Sequence, residues 1–161
     1  MCVSILKAMG GKGAVVVDID EKRHDAAIDA GAIAAIDGAA PDALKRITTA
    51  LSGPCHAAID LVGSPTTASL AFDSLTRGGK LVMVGLFGGA APWSLPLIPM
   101  KAATIAGSYT GNLSETKELL DLARSGVVPN IPIQRRPLSD ASEALDDLKA
   151  GRVVGRIVLT P

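Results

Sequence analysis

Ala-Val-Val-Val-Asp-Ile-Asp-Glu-Lys-Arg-His-Asp-Ala-Ala-Ile-Asp-Ala-Gly (14–31) is the stretch that decides the fold. Ala14 to Val17 is an unbroken apolar run ending in Asp18, the pattern of a strand buried on both faces. Asp20 to Ala30 then reads as a helix, with Asp20 as its cap and Gly31 as its stop. Strand-like and helix-like apolar periods go on alternating in both directions, as they do in a parallel sheet covered by helices. The expected fold is therefore α/β, a Rossmann-like parallel sheet with helices on both faces.

Upstream, Met1 to Met9 reads as the tail of a helix, stopped by Gly10 and Gly11. Downstream, strands are expected over Ile33–Ile36, Ala57–Val62, Lys80–Leu86, Thr104–Tyr109 and Arg156–Leu159. Helices are expected over Pro41–Leu51, Thr66–Leu75, Ser114–Ser125 and Ser139–Ala150, with Ser114 and Ser139 opening the last two and Leu145 and Leu148 turned inward. No repeat and no low-complexity linker divides the chain, so residues 1–161 read as a single domain.

The 161 residues carry sixteen Lys and Arg against sixteen Asp and Glu, so no net field draws the chain to nucleic acid or to an anionic membrane surface. Aromatics make up 2% of residues, too few to stack bases, and aliphatic side chains must build the interior. Two cysteines, Cys2 and Cys55, suit buried thiols in a cytoplasmic protein better than a disulfide scaffold. Leu81 to Met100 runs twenty residues without a charge, yet its three glycines and three prolines exclude one spanning helix.

Ligands of open parallel sheets bind at the carboxyl ends of the strands. Asp18 stands at one such end. A carboxylate there accepts the hydroxyls of an adenosine ribose and repels a 2′-phosphate, favouring NAD over NADP; it equally suits a helix cap or a solvated side chain. Gly63 and Gly85 follow two further strands, where a missing side chain admits a flat ring or simply permits a turn. Arg156 opens the last strand, either as a donor to a pyrophosphate or as a solvated side chain. Gly11-Lys12-Gly13-Ala14 is not a phosphate loop, because it leaves a helix and enters a strand. His24, His56, Cys2 and Cys55 lack the spacing of a zinc site, and no catalytic residue stands out.

Six ordered segments carry a family resemblance: 15–23 (Val-Val-Val-Asp-Ile-Asp-Glu-Lys-Arg), 30–32 (Ala-Gly-Ala), 58–64 (Ala-Ile-Asp-Leu-Val-Gly-Ser), 77–88, 105–111 and 151–159. Together they resemble the nucleotide-binding half of a zinc-type alcohol dehydrogenase of the medium-chain dehydrogenase/reductase superfamily, over nearly the whole chain. The resemblance implies that Asp18 and Arg23 hold the adenosine ribose. It places Gly63 and Val84-Gly85-Leu86 on the nicotinamide side, gives the backbone at Ser108 and Thr110 to the carboxamide, and gives Arg156 to the pyrophosphate. The implied reaction is hydride transfer between an alcohol and NAD, with zinc confined to a catalytic domain this chain lacks. The implied partner is a second copy, paired through the edge Leu95 to Tyr109.

The same resemblance makes the chain a fragment, inactive alone, whose first Rossmann strand and glycine fingerprint are missing. In the order 3-2-1-4-5-6 that strand is central, so its loss leaves two half-sheets with open ladders. Either a second chain supplies a strand, or Ala14–Val17 shifts to pair with Ala57–Val62. Cofactor affinity is expected to fall roughly a hundredfold with the lost pyrophosphate donors. The competing functions are an NADPH-dependent quinone or enoyl reductase lobe, a non-catalytic remnant or assembly module, and, last, a methyltransferase.

Overall fold

The computed structural model describes residues 1–91, 93–128 and 132–161. Helices and strands alternate as α1 (Cys2–Ala8), β1 (Val15–Val17), α2 (Lys22–Asp29), β2 (Ala34–Ile36), α3 (Ala43–Ala50), β3 (Cys55–Asp60), α4 (Pro65–Ser74) and β4 (Leu75–Met83). There follow α5 (Leu97–Lys101), β5 (Thr104–Gly107), α6 (Leu113–Arg124), β6 (Ile133–Pro137), α7 (Ala141–Lys149) and β7 (Arg156–Thr160). The fold is α/β and every strand pair is parallel, because each strand is followed by a helix that returns the chain to the same end of the sheet.

The sheet lies in separate pieces of order β1-β2, β3-β4-β5 and β6-β7. Val15 pairs with Ala34 and Val17 with Ile36; in the second piece Leu81, fully buried, lies between Ala58 and Ile105. The expected half-sheets are thus present. The alternative in which β1 moves over to pair with β3 is overturned, since β1 ladders with β2 alone. Packing explains why it stays: Val15 lies against the buried cluster of Ile36, Ala43 and Ile47, so sliding across would expose that core. A second cluster, Phe72, Leu75 and Leu81, serves the other half. Helix α4 joins the two. Its Leu70 packs on the first cluster while Phe72, two residues on, belongs to the second.

Several boundaries move from their expected places for local reasons. Strand β3 starts at Cys55 and α4 ends at Ser74, because Leu75 already pairs with Cys55 before Thr76–Gly79 bulge out through Gly78, whose φ is +79°. Strand β4 ends at Met83, short of Leu86, because the Val84 and Gly85 amides turn to the Asp60 carbonyl. Strand β5 stops at Gly107 rather than Tyr109. Asn112, not Ser114, caps α6 through a reciprocal capping box with Glu115. Asp20 does not cap α2, whose N-cap is Glu21; it accepts from the Lys22 amide just ahead of it. Ser139 sits in a 3-10 turn, Leu138–Asp140, and its hydroxyl bonds to Asp140 rather than capping α7.

Two elements were not anticipated: α5, and β6, whose Gln-Arg-Arg core is polar and becomes a strand by pairing with β7. Leu145 and Leu148 do not face inward; they are 66% and 62% exposed. The chain shows 10907 Å² to solvent, where a compact monomer of its 16.4 kDa shows about 7,500 Å². Large apolar side chains stand exposed at strand ends and on α7, among them Ile59, Leu61, Leu86, Leu145 and Leu148.

Candidate functional site

Asp18 extends the β1 ladder by one residue, its amide donating to the Ile36 carbonyl at 3.1 Å. Its carboxylate accepts from the Asp20 amide at 3.0 Å and from the Arg23 guanidinium at 3.4 Å. Arg23 also reaches Asp20 at 3.4 Å and stays half exposed. His24 Nε2 lies 2.8 Å from the Asp18 carbonyl; a carbonyl only accepts, so this nitrogen carries the hydrogen. Sequence reasoning weighed His24 only as a metal ligand, yet it pins the start of α2 to the end of β1. Asp18 thus organises a turn and still leaves about a quarter of its side chain open to solvent.

The ends of β3 and β4 form a second centre around Asp60, which is 4% exposed. Its Oδ1 accepts from the Val62 and Gly63 amides, both at 2.9 Å, and its Oδ2 from the Thr67 hydroxyl at 2.9 Å. Its carbonyl accepts from the Val84 amide at 2.9 Å and the Gly85 amide at 3.0 Å. Beyond it the two exits stay paired, Phe87 N to Val62 O at 3.0 Å and Gly88 N to Gly63 O at 3.1 Å. Gly63 and Gly85 touch backbone to backbone: a Cβ on Gly63 falls inside the Gly85 carbonyl, and one on Gly85 inside Val62. Both glycines are therefore demanded by each other, quite apart from any ligand. Asp60 was missed; the signal for it was a lone carboxylate closing an otherwise apolar strand.

The other expected residues are less gathered. The Ser108 amide donates to the Met83 carbonyl at 2.9 Å, which sets the β5 exit beside β4, and Thr110 takes a left-handed φ of +55°. Leu86 is exposed beside the glycine crossing. Arg156 belongs to the third sheet, and its guanidinium donates to the Gly155 carbonyl at 3.1 Å. Asp18 with Arg23, and Gly63 with Val84 and Gly85, are therefore two local constellations, one on each half-sheet. Two hollows lie elsewhere. A groove of about 340 Å³ runs between β2 and α3, and an apolar cleft of about 280 Å³, with Arg156 in its wall, lies between α7 and β7. Among the described residues no three His, Cys, Asp or Glu side chains converge, so these residues do not supply the donor set zinc takes. No helix among them is long and apolar enough to cross a membrane.

Parallel strands joined by helices, with polar and glycine-rich exits at the carboxyl ends, define a Rossmann-type α/β fold. Residues 1–125 match the zinc-binding dehydrogenase family, and the chain belongs to it. It is 36% identical over 162 residues to an NAD-dependent alcohol dehydrogenase of Sulfurisphaera tokodaii and 37% identical over 164 residues to one of Saccharolobus solfataricus. Each alignment spans 100% of this chain and 47% of the relative, so the chain covers about half the length of the curated relatives it matches. The crystal structure of the alcohol dehydrogenase of Aeropyrum pernix superposes with a TM-score of 0.88 at 30% identity, over 99% of this chain and 46% of that one.

Proposed function

We propose that this chain is the nucleotide-binding lobe of an NAD-dependent, zinc-type alcohol dehydrogenase, a cytoplasmic enzyme moving hydride between an alcohol and NAD. The observation that carries the reading is Asp18: a carboxylate at a strand exit, fixed by the Asp20 amide and still open to solvent. It can accept both ribose hydroxyls. A 2′-phosphate about 5 Å away meets repulsion of about 1 to 3 kcal/mol per unit charge, a discrimination of roughly five- to two-hundredfold for each charge. Arg23 steadies the carboxylate from its exposed side.

Around this anchor the remaining roles follow. Ile19, 76% exposed beside Asp18, offers an apolar wall to a base. The bare backbone where Gly63 meets Val84-Gly85-Leu86 lets a flat ring approach closely, and the backbone at Ser108 and Thr110 serves the carboxamide. Arg156 is assigned to the pyrophosphate. Bound NAD supplies the hydride acceptor at its nicotinamide, and this chain's part is to bind and orient it. No zinc ligand, proton relay or alcohol contact is assigned among these residues; their proposed part is confined to the cofactor. The free edge of β5, flanked by exposed Leu95, Met100 and Tyr109, suits pairing with a second copy.

Fluorescence titration of the chain with NADH and NADPH tests the reading. NADH binds at least about tenfold tighter, with a dissociation constant above the micromolar range, and Asp18→Ser brings the two cofactors to near parity. A wild-type preference for NADPH, or an unchanged ratio in Asp18→Ser, sinks the assignment and favours the reductase or remnant readings.

A further inference from the structure

We infer that Asp60 is a positioning residue, whose carboxylate and carbonyl together lock the exits 61–63 and 84–88 into the crossing on which the cofactor lies; this rests on the nucleotide reading above. Burying a carboxylate is unfavourable unless donors replace its water, and here they do. Three donors reach the carboxylate and two reach the carbonyl, from the β3 exit, the first turn of α4 and the β4 exit. Among the described residues no Lys or Arg pairs with it, so its bonds go to parts that must be held still rather than to a counter-charge. Those parts need holding. Gly63 and Gly85 present only backbone to each other, so side-chain packing cannot fix their contact, and glycine is the residue with most freedom to drift from it.

Thr67 shows that the lock extends into α4. Its hydroxyl donates to Asp60 while accepting from the Ser64 amide, within the capping box of that helix. The helix that bridges the two cores therefore reports to the same carboxylate. A purely structural role, a staple on the start of α4, is separable from positioning because it runs through Thr67 alone.

The experiment pairs amide hydrogen exchange with NADH titration on the 161-residue chain and its variants Asp60→Ala, Asp60→Asn and Thr67→Val. In Asp60→Ala the amides of Val62 and Gly63, which lose their acceptor, exchange at least about tenfold faster and NADH affinity falls about tenfold or more, while β1 and β2 amides are unchanged. Asp60→Asn keeps an oxygen for Val62 and Gly63 and restores both readouts to within about threefold. Thr67→Val leaves exit protection and affinity within about threefold of wild type. Should Asp60→Ala fail to fold, the folded Asn variant decides. Retained protection with retained affinity supports positioning; retained protection with a tenfold loss of affinity overturns it, because charge and not placement then matters. A tenfold loss in Thr67→Val also overturns it in favour of the helix staple. If wild type binds no NADH, the nucleotide reading fails. The lock itself is then judged on exchange alone, and unchanged exit protection in Asp60→Ala overturns it.

Discussion

Replacing Gly63 by alanine puts the contact between the β3 and β4 exits to the test, and the molecule provides its own control in Gly78. The two glycines have nearly the same left-handed backbone, φ +75° and +79°, so the conformational cost of a Cβ is common to both, about 1 to 2 kcal/mol. Alanine also narrows the unfolded ensemble, which returns about 0.4 to 1 kcal/mol at either site. Space is what differs. A Cβ on Gly78 meets nothing within 4 Å, whereas one on Gly63 overlaps the Gly85 carbonyl. Relief requires the exits to part, weakening Phe87 N to Val62 O and Gly88 N to Gly63 O at about 0.5 to 1.5 kcal/mol each and straining the bonds to Asp60. Gly78→Ala should therefore lose about 1 kcal/mol or less, and Gly63→Ala about 3 to 4 kcal/mol, a large share of a domain's total. Urea unfolding followed by the emission of Trp93, the sole tryptophan, which stacks 4.9 Å from Phe72, reads both. Gly63→Ala falling within about 1 kcal/mol of Gly78→Ala would refute the claim that the exits touch.

Two other expectations concern the far ends of the chain. Asp147 ties β6 and the 151–155 turn to α7, accepting from Arg136 at 2.8 Å and Arg152 at 2.7 Å, and these guanidinium hydrogen bonds, Arg136 first, hold its carboxyl below the ordinary 3.8. A depressed carboxyl contributes stability that is present above pH 3.8 and lost as pH falls through the lower folded value. Thermal melts of wild type and Asp147→Asn should differ at pH 6 and converge as pH falls through the lowered carboxyl value, with a constant gap down to that acid limit counting against the linkage. Sedimentation should show a dimer through the β5 edge that Leu95→Asp with Met100→Asp converts to monomer; an unaltered dimer would move the interface elsewhere.

What was legible in the sequence was the local and the ordered. Val15–Val17 and Leu81–Met83 announced themselves as unbroken apolar runs, yet burial on both faces, expected of the first, is not found: Val15 and Val16 are half-buried and Val17 is 40% exposed. Asp18 and the two glycines stood out because polar or side-chain-free residues at the ends of such runs are conspicuous. What was not legible depended on partners distant in sequence. Gln134, Arg135 and Arg136 form a strand only because β7 offers a ladder at Ile157, Val158 and Leu159, far along the chain. Asp60 gains its importance from amides at 84 and 85, and Leu145 and Leu148 follow a helical apolar period yet face solvent. Periodicity reports which face wants covering, not whether anything covers it.

That distinction bears on how the halves cohere. Between β1-β2 and β3-β4-β5 there is no ladder, so backbone hydrogen bonds cannot set their spacing; α4 must, with Leu70 on one core and Phe72 on the other. A single helix holds position but cannot cover the free edges of β1 and β3, and Ile59 and Leu61 remain more than half exposed in the middle of what should be interior. The exposed surface exceeds that of a compact monomer of this mass by roughly 3,400 Å². The two constellations proposed to face the nucleotide lie on opposite sides of this junction, Asp18 with one half and the Gly63–Gly85 crossing with the other. On the proposed nucleotide reading, one dinucleotide would have to reach both constellations, so its affinity would depend on whatever fixes the spacing of the two halves.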